Sequence, residues 1–486
     1  MIHIFLFILP YLHYVDSTTP YDLSSKWTYY IEAAREQTWP SCAYRFLSYS
    51  SSCNTVDLYN AVGINQEWSL IDAGDGNFYL KSSCGGYLSY SGDCEAHVVD
   101  MWPQAGVNQA FRFVVGDNTQ FEYYIEAVGR EQCDYRWMSF PVSCTTSSPD
   151  IVDLWHATGS DQRFRLHPVR SSSPVSLQPV ADYSCADPYA WYSTVDDLYA
   201  LQCTGGGISL AFSESIGPDA NFKYAGDSIG GNPPEWAASG ARWAPENTFD
   251  PSSGANYLFF SDSSSSTGGV HRIGYSVSDT GVTANAWDEY SSTPLDLGNT
   301  PGGEIDSTLF TDEDGRQYLL WKSDDNNVGE PVTRIWAQEV KVSNSTVQLL
   351  DSAKVVLDST GMWWVDSWVA GGSLVEGPEV IKRNGYYFLF FAAGRYCENS
   401  YSEGVARSTS IWGPYQKLPV PFLSTGIVGV SEGKQLIGPG HGSFLQDIDS
   451  KEWYTVYHAS LDDQCNRLPF SAAVKFGYDD WPYADF

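Results

Sequence analysis

Basic residues are scarce in this chain: its 486 residues hold 27 Lys and Arg against 59 Asp and Glu, a formal charge of −32 at pH 7. Such a field repels phosphate polymers, which excludes nucleic acid and anionic membrane surfaces as partners and disfavours polyuronic acid substrates. Helical periodicity is nearly missing too, so strands rather than helices must build the core. Beyond the first fifteen residues no apolar stretch is long enough to cross a bilayer. The ten cysteines contain no C-x-x-C spacing, which argues against a thiolate zinc site.

What is present begins with Met1 to Val15, nearly all apolar and centred on Phe5-Leu6-Phe7-Ile8-Leu9. That is the length of a secretory h-region, although no Lys or Arg precedes it. A signal peptide over residues 1–17 and an extracellular destination are the expectation. An even number of cysteines fits that oxidising route. Cys42 and Cys53 are 11 apart, Cys84 and Cys94 are 10 apart, and Cys133 and Cys144 are 11 apart. Three local staples are therefore predicted, with Cys185–Cys203 and Cys397–Cys465 as the remaining pairs. Asn344-Ser345-Thr346 is a glycosylation sequon, compatible with export.

Aromatics are abundant, with 18 Trp, 32 Tyr and 23 Phe. They suit β structure and flat surfaces on which sugar rings stack. The length calls for two or three domains, and the aromatics fall into two repeat systems. In the first, Tyr29-Tyr30-Ile31-Glu32-Ala33 returns around Phe78-Tyr79-Leu80-Lys81 and as Tyr123-Tyr124-Ile125-Glu126-Ala127. Asp57, Asp100 and Asp153 each sit in a short apolar strand, followed nine places on by Gln66, Gln109 and Gln162, and then by Trp68, Phe111 and Phe164. Three such units predict a β-trefoil over residues 26–169. The Gln-x-Trp/Phe triplets resemble the ricin-B-type trefoil lectins and carbohydrate-binding modules. In that family the triplet is mainly a core element, and the family's early sugar-binding aspartate is not evident here. The resemblance implies a carbohydrate-binding module; the plain alternative is a stabilising spacer. Residues 170–178, opening Arg170-Ser171-Ser172-Ser173-Pro174, read as a linker.

The second system fills residues 179–486. Asp187, Glu246, Asp306, Glu376 and His441 each precede an aromatic-rich strand, at intervals of 59, 60, 70 and 65 (246−187, 306−246, 376−306, 441−376). Short strands repeated at this length mark a radial β array. The overall expectation is an all-β chain, a five-bladed β-propeller preceded by a β-trefoil domain, with the leading residues converging on one axis.

The motifs Ala186-Asp187-Pro188, Trp243-Ala244-Pro245-Glu246, Ile305-Asp306-Ser307, Glu376-Gly377-Pro378-Glu379 and Gly440-His441-Gly442-Ser443, in this order, resemble family 43 of the glycoside hydrolases. The resemblance implies a five-bladed propeller acting on arabinose- and xylose-containing polymers. Ser307 departs from the proline often found there, but the carboxylate is kept. By the same resemblance Asp187 is the general base, Glu376 the general acid, and Asp306 a third carboxylate that orients substrate and adjusts the acid. Inversion at a sugar carbon needs one ionised carboxylate to activate water and one protonated carboxylic acid about 6.5–9.5 Å away. A negative charge beside Glu376 is expected to raise its pKa.

Each assignment has a rival. Asp-Pro at Asp187 often only starts a turn. Asp306 competes with Asp312 and with Asp314, which looks like a hairpin residue before Gly315, and Glu376 competes with Glu379. Trp243 is the candidate for stacking against a sugar ring, Glu246 a neighbouring carboxylate, and Arg467 a cation beside the acidic centre. His441 is placed to hold a metal or water on the axis, to contact sugar, or to hydrogen-bond between blades. No metal ligand set and no required cofactor is expected, although the resemblance allows calcium on the propeller axis.

The favoured reading is a secreted, monomeric, inverting hydrolase that releases α-L-arabinofuranosyl units from neutral polysaccharides or oligosaccharides. Leu320-Trp321-Lys322 is the phrase most like the arabinose-releasing members. β-Xylosidase and exo-β-1,3-galactanase are alternatives within the class, and a non-catalytic two-domain lectin is the alternative outside it. Retaining fructan-active propellers are set aside, because Glu376 is followed by Gly377 rather than cysteine.

Overall fold

In a computed structural model of the protein, the residues described are 27–33, 46–59, 64–115, 123–130, 132–140, 150–158, 162–171 and, from 176 onward, all but 299, 361, 363–364, 366–371, 419–420, 426–427, 463 and 477–479. The predicted leader, Cys42 and Cys144 lie outside them. The chain divides into two compact units, Met1–Ser173 and Pro174–Phe486. Both are built of antiparallel strands, and no α-helix occurs among the described residues. Consistent with this, no helix is long and apolar enough to cross a membrane.

The first unit repeats one hairpin three times: Phe46–Tyr49 with Val56–Tyr59, Tyr87–Tyr90 with Val99–Trp102, and Trp137–Ser139 with Asp153–Trp155. In each repeat the predicted glutamine turns inward and donates to a serine of the hairpin. Gln66 bonds Ser48 at 2.8 Å, Gln109 bonds Ser89 at 2.9 Å, and Gln162 bonds Ser139 at 2.8 Å. Satisfying a buried amide this way avoids its desolvation cost. Trp68, Phe111 and Phe164 fill the shared core beside them and are fully buried.

The local disulfides expected here do not form. Cys53 bonds Cys84 and Cys94 bonds Cys133. Cys53 and Cys94 stand at hairpin tips, whereas Cys84 and Cys133 precede the hairpin of the following repeat. The tip of one repeat meets the entry of the next, with Cα atoms 6.1 and 5.0 Å apart, within bridging reach. Equal spacing in the sequence came from the repeat itself and said nothing about pairing. The predicted pairs Cys185–Cys203 and Cys397–Cys465 are present. The linker begins later than the sequence suggested. Arg170 and Ser171 end the strand Arg163–Ser171, paired to Thr28 and Trp27.

The second unit contains five meandering sheets, with inner strands Ala186–Ser193, Trp243–Asp250, Glu304–Thr311, Val375–Arg383 and Ile437–Gln446. Each inner strand neighbours the next, and the last lies beside the first, so the sheets form a ring of five blades. The run before the first blade helps close that ring. Val180 N–H donates to Pro469 O and Cys185 N–H to Arg467 O, both at 2.8 Å. The aromatic second strands follow from this packing. Tyr257-Leu258-Phe259-Phe260 is covered on both faces, and every residue of Ala255–Asp262 is buried. A strand with two covered faces reads as a continuous apolar run rather than an alternation. Apolar clusters fill the gaps between the first and second, second and third, third and fourth, and fifth and first blades. The polar inner strands are left to face the axis.

Candidate active site

All five inner strands are interrupted at one level. Register slips between Ala186 and Tyr189, Trp243 and Glu246, Ile305 and Thr308, Glu376 and Glu379, and Gly440 and Ser443. The first residue of each interruption is Asp187, Ala244, Asp306, Gly377 or His441, with φ of 48°, 44°, 56°, 51° and 52°. Left-handed backbone is costly for residues with a Cβ. Its recurrence once per blade marks a bulge that re-aims the residue there. All five line one axial cavity.

This frame corrects the repeat as read from sequence. Glu246 is not the counterpart of Asp187, because Ala244 occupies that place and Glu246 stands two residues further on. Glu376 stands one residue before its blade's bulge, where the second blade carries Trp243. The bulge moves both side chains off the ring of Asp187, Asp306 and His441.

Asp187 receives the most donors. Arg467 Nη1 lies 3.1 Å from its Oδ1, His441 Nδ1 lies 3.3 Å from the same oxygen, and Thr204 donates its hydroxyl to Oδ2 at 2.7 Å. Burial alone would push this carboxyl up, but Arg467 and His441, with the Thr204 hydroxyl, outweigh it and hold the group well below the ordinary carboxylate range. His458 also faces this carboxyl, with Nδ1 3.6 Å from Oδ1. Its Nδ1 accepts the Asp187 backbone N–H at 3.1 Å, and burial keeps its pKa well below the usual imidazole value.

Glu376 is gripped at both oxygens. Lys322 Nζ lies 3.1 Å from Oε2, and Tyr401 donates its hydroxyl to Oε1 at 2.8 Å. The next residue, Gly377, donates its N–H to Asp306 Oδ2 at 3.1 Å, which ties the third blade to the fourth. Burial raises Asp306 to about 7; Glu376 and Asp187 add to the rise, while His441 and Lys322 oppose it. The structure thus places Asp187, Asp306, Glu376, His441 and Arg467 together. Two carboxyl groups of unlike character face one cavity: Asp187 held ionised, Asp306 held toward its neutral form.

Glu246 lies deeper on the axis, paired with Glu379. Thr308 donates to Glu379 at 3.2 Å, and the Leu309 N–H donates to Glu246. Burial lifts Glu246 to about 8, and burial with the Glu246 charge lifts Glu379 well above its usual value. Trp243 precedes the cavity-lining Ala244 but is not itself among the lining residues; it is 36% exposed, with its indole stacked on His271 at 3.5 Å between ring centroids. The two rival aspartates are structural. Asp312 accepts from Lys382 and Tyr387, each at 2.6 Å, and Asp314 closes a turn with Arg316.

A calcium ion on the axis would have to be met by these side chains. His441 offers one imidazole there, with Nδ1 facing Asp187, and among the described residues no three His, Cys, Asp or Glu are grouped to hold a metal.

Sequence reasoning missed Lys322, Tyr401, Thr204 and His458 as parts of the site. Lys322 carried a signal, as a lysine ending an apolar strand. Tyr401, just before a later strand, and His458, within one, are buried and resemble ordinary core residues.

Residues 176–482 match the profile described as glycosyl hydrolases family 43. A β-D-galactofuranosidase of Aspergillus niger is 27% identical over 233 residues, covering 46% of this chain and 58% of the relative, so the chain spans little more than half that protein's length. An extracellular exo-α-(1→5)-L-arabinofuranosidase of Cellvibrio japonicus is 25% identical over 327 residues, covering 60% of this chain and 83% of the relative. The crystal structure of a thermostable family-43 glycoside hydrolase aligns with a TM-score of 0.52 at 21% identity, over 64% of this chain and 96% of that one, which speaks for the fold alone. With five bulged blades and a family match over most of its length, this chain belongs to glycosyl hydrolases family 43.

Proposed function

We propose that the protein is a secreted, monomeric glycoside hydrolase that inverts configuration at the sugar carbon and releases α-L-arabinofuranosyl units from neutral polysaccharides. Asp187 is the base. Held as a carboxylate, it takes a proton from water as that water attacks the anomeric carbon. Glu376 is the acid and gives its proton to the departing glycosidic oxygen. Asp306, with Gly377 N–H on one oxygen, orients the sugar beside both. His441 and Arg467 keep Asp187 ionised, and Trp243 offers a flat wall to the ring. The observation that carries this reading is the set of donors on Asp187, which lines the same cavity as Asp306 and as Gly377, the residue that follows Glu376.

The arabinofuranosyl preference is supported by the Cellvibrio relative, and galactofuranosyl or xylosyl release would be the nearest alternative. Export is supported by the four disulfides among the described residues and by the apolar amino terminus. We read the first unit as a ricin-B-type β-trefoil that holds the polymer. Its three-fold Gln–Ser pairing supports the fold, and the exposed Tyr59, Trp102 and Trp155, each ending the same strand of its repeat, support sugar stacking.

Sugar release from a panel of neutral polysaccharides, with the anomer of the product followed by NMR, tests the reading. Arabinose appearing first as the inverted anomer is expected. The retained anomer would contradict the base-and-water scheme, and binding without turnover would make the protein a lectin.

A further inference from the structure

Lys322 ends the apolar run of its strand, where Leu320 and Trp321 are fully buried between blades. Its backbone pairs with Ile305, immediately before the bulge at Asp306. The ammonium is itself buried, with its side chain 2% exposed, and contacts two carboxylates: Asp324 at 3.0 Å and Glu376 at 3.1 Å. An unpaired buried ammonium is expensive, and one good partner offsets that cost. Asp324, two residues along the same chain, already supplies it. The second contact reaches across to another blade and ends on the carboxyl assigned as acid. Tyr401 approaches the other oxygen of that carboxyl from the fourth blade. Its ring is fully buried and stacks on His458 with an interplanar angle of 5°.

We propose that Lys322 and Tyr401 are positioning residues for proton delivery, fixing the plane of the Glu376 carboxyl and stabilising the carboxylate left when its proton departs. This rests on Glu376 being the acid. In the step itself the Glu376 proton moves to the glycosidic oxygen as the bond from that oxygen to the anomeric carbon breaks. The electron pair of the O–H bond stays on Glu376. The new negative charge then lies between an ammonium and a phenol already in place, so no reorganisation is needed at that moment. Burial raises the Tyr401 pKa well above its usual value, which keeps the phenol a donor throughout. The two contacts act on the leaving group and leave water activation at Asp187 untouched.

A leaving-group series separates this role from a structural one. Phenyl, 4-nitrophenyl and 2,4-dinitrophenyl α-L-arabinofuranosides (or the glycosides of whichever sugar the protein releases) are compared for wild type, Lys322→Met and Tyr401→Phe, with melting temperatures recorded. A dinitrophenolate departs without a proton, whereas a phenolate or a sugar alkoxide needs one. Both variants are expected to lose kcat on the phenyl glycoside by on the order of 10- to 100-fold, part of the full contribution of a general acid, and little on the dinitrophenyl glycoside, with KM nearly constant. An equal loss across the series, or no loss in folded protein, overturns the proposal. Should Lys322→Met fail to fold, Lys322→Arg keeps the charge but displaces the donor, and the same dependence is read from it. Glu376→Gln runs beside them as the control. If it shows the steep dependence and the Lys322 and Tyr401 variants do not, only the positioning role falls. If Glu376→Gln is itself flat, the acid assignment fails first.

Discussion

The two units use internal repetition in opposite ways. In the first, backbone and side chain repeat together: Gln66, Gln109 and Gln162 each donate to a serine, and Trp68, Phe111 and Phe164 each fill the same core position. In the second, the backbone repeats and the residue does not. Asp187, Ala244, Asp306, Gly377 and His441 share one left-handed conformation but bring four different residue types to the axis. A residue kept at every equivalent position serves the interior. A conformation kept while its residue varies serves whatever lies at the centre.

The sharpest way to break this contrast is a pair of substitutions. Asp187→Asn is expected to cut kcat by about 10²–10⁴-fold, with some fall in melting temperature because Arg467 and His441 lose the anion they face. Trp68→Ala should do the reverse, destabilising its unit by about 3–5 kcal/mol in urea unfolding while turnover of a small aryl glycoside is kept. A Trp68 variant that folds fully and loses turnover would erase the distinction.

A smaller effect is expected at the bulge itself. A Cβ on Gly377 would lie 2.9 Å from the His441 ring at a φ of +51°, so Gly377→Ala must strain its backbone and push His441 away from Asp187. A cost of about 1–3 kcal/mol, with a clear fall in kcat, is the expected result. Ala244→Gly relieves the same strain where no functional side chain is lost, and should leave kcat unchanged. Equal responses at the two positions would mean that the bulge does not aim anything.

The most gradual effect is a pH dependence, spread over about three pH units. Burial first, then Glu376 and Asp187, raise Asp306 to about 7 in the folded protein, from an ordinary value of 3.8. Between those values the folded state holds a proton that the unfolded chain has released, so this group's contribution to stability is greatest below about pH 4 and falls as pH rises through about 7. Asp306→Asn removes that dependence. The stability of the variant relative to wild type should therefore increase over this window, by at most about 1.4 kcal/mol per pH unit. A difference that does not change with pH would place Asp306 in a better-solvated setting than its burial implies.

Much of this was legible because propeller chemistry sits in short local phrases. Asp187-Pro188, Ile305-Asp306 and Gly440-His441-Gly442 name the axial residues directly, and the aromatic second strands give the blade count. The second blade was misread because its bulge residue is alanine, and Glu246, the nearest carboxylate in the sequence, took its place in the pattern. Partnerships were harder. Tyr401 and Glu376 meet only when the strands of the fourth blade pair, His458 and Asp187 only after the ring closes, and neither partner carries a local cue. Disulfide order failed for a related reason: hairpin tips and entries recur at equal spacing, and only the three-dimensional rotation between repeats decides which sulfur meets which.

The shared bulge leaves one position unspent. At Ala244 the backbone already holds the turn that points Asp187 and Asp306 at the axis, yet the side chain there is a single methyl group. Aspartate and asparagine tolerate that conformation better than most residues. The second blade therefore keeps a vacant socket in the ring, through which the fold could acquire a new polar group, and with it a different sugar, by changing one codon and no backbone.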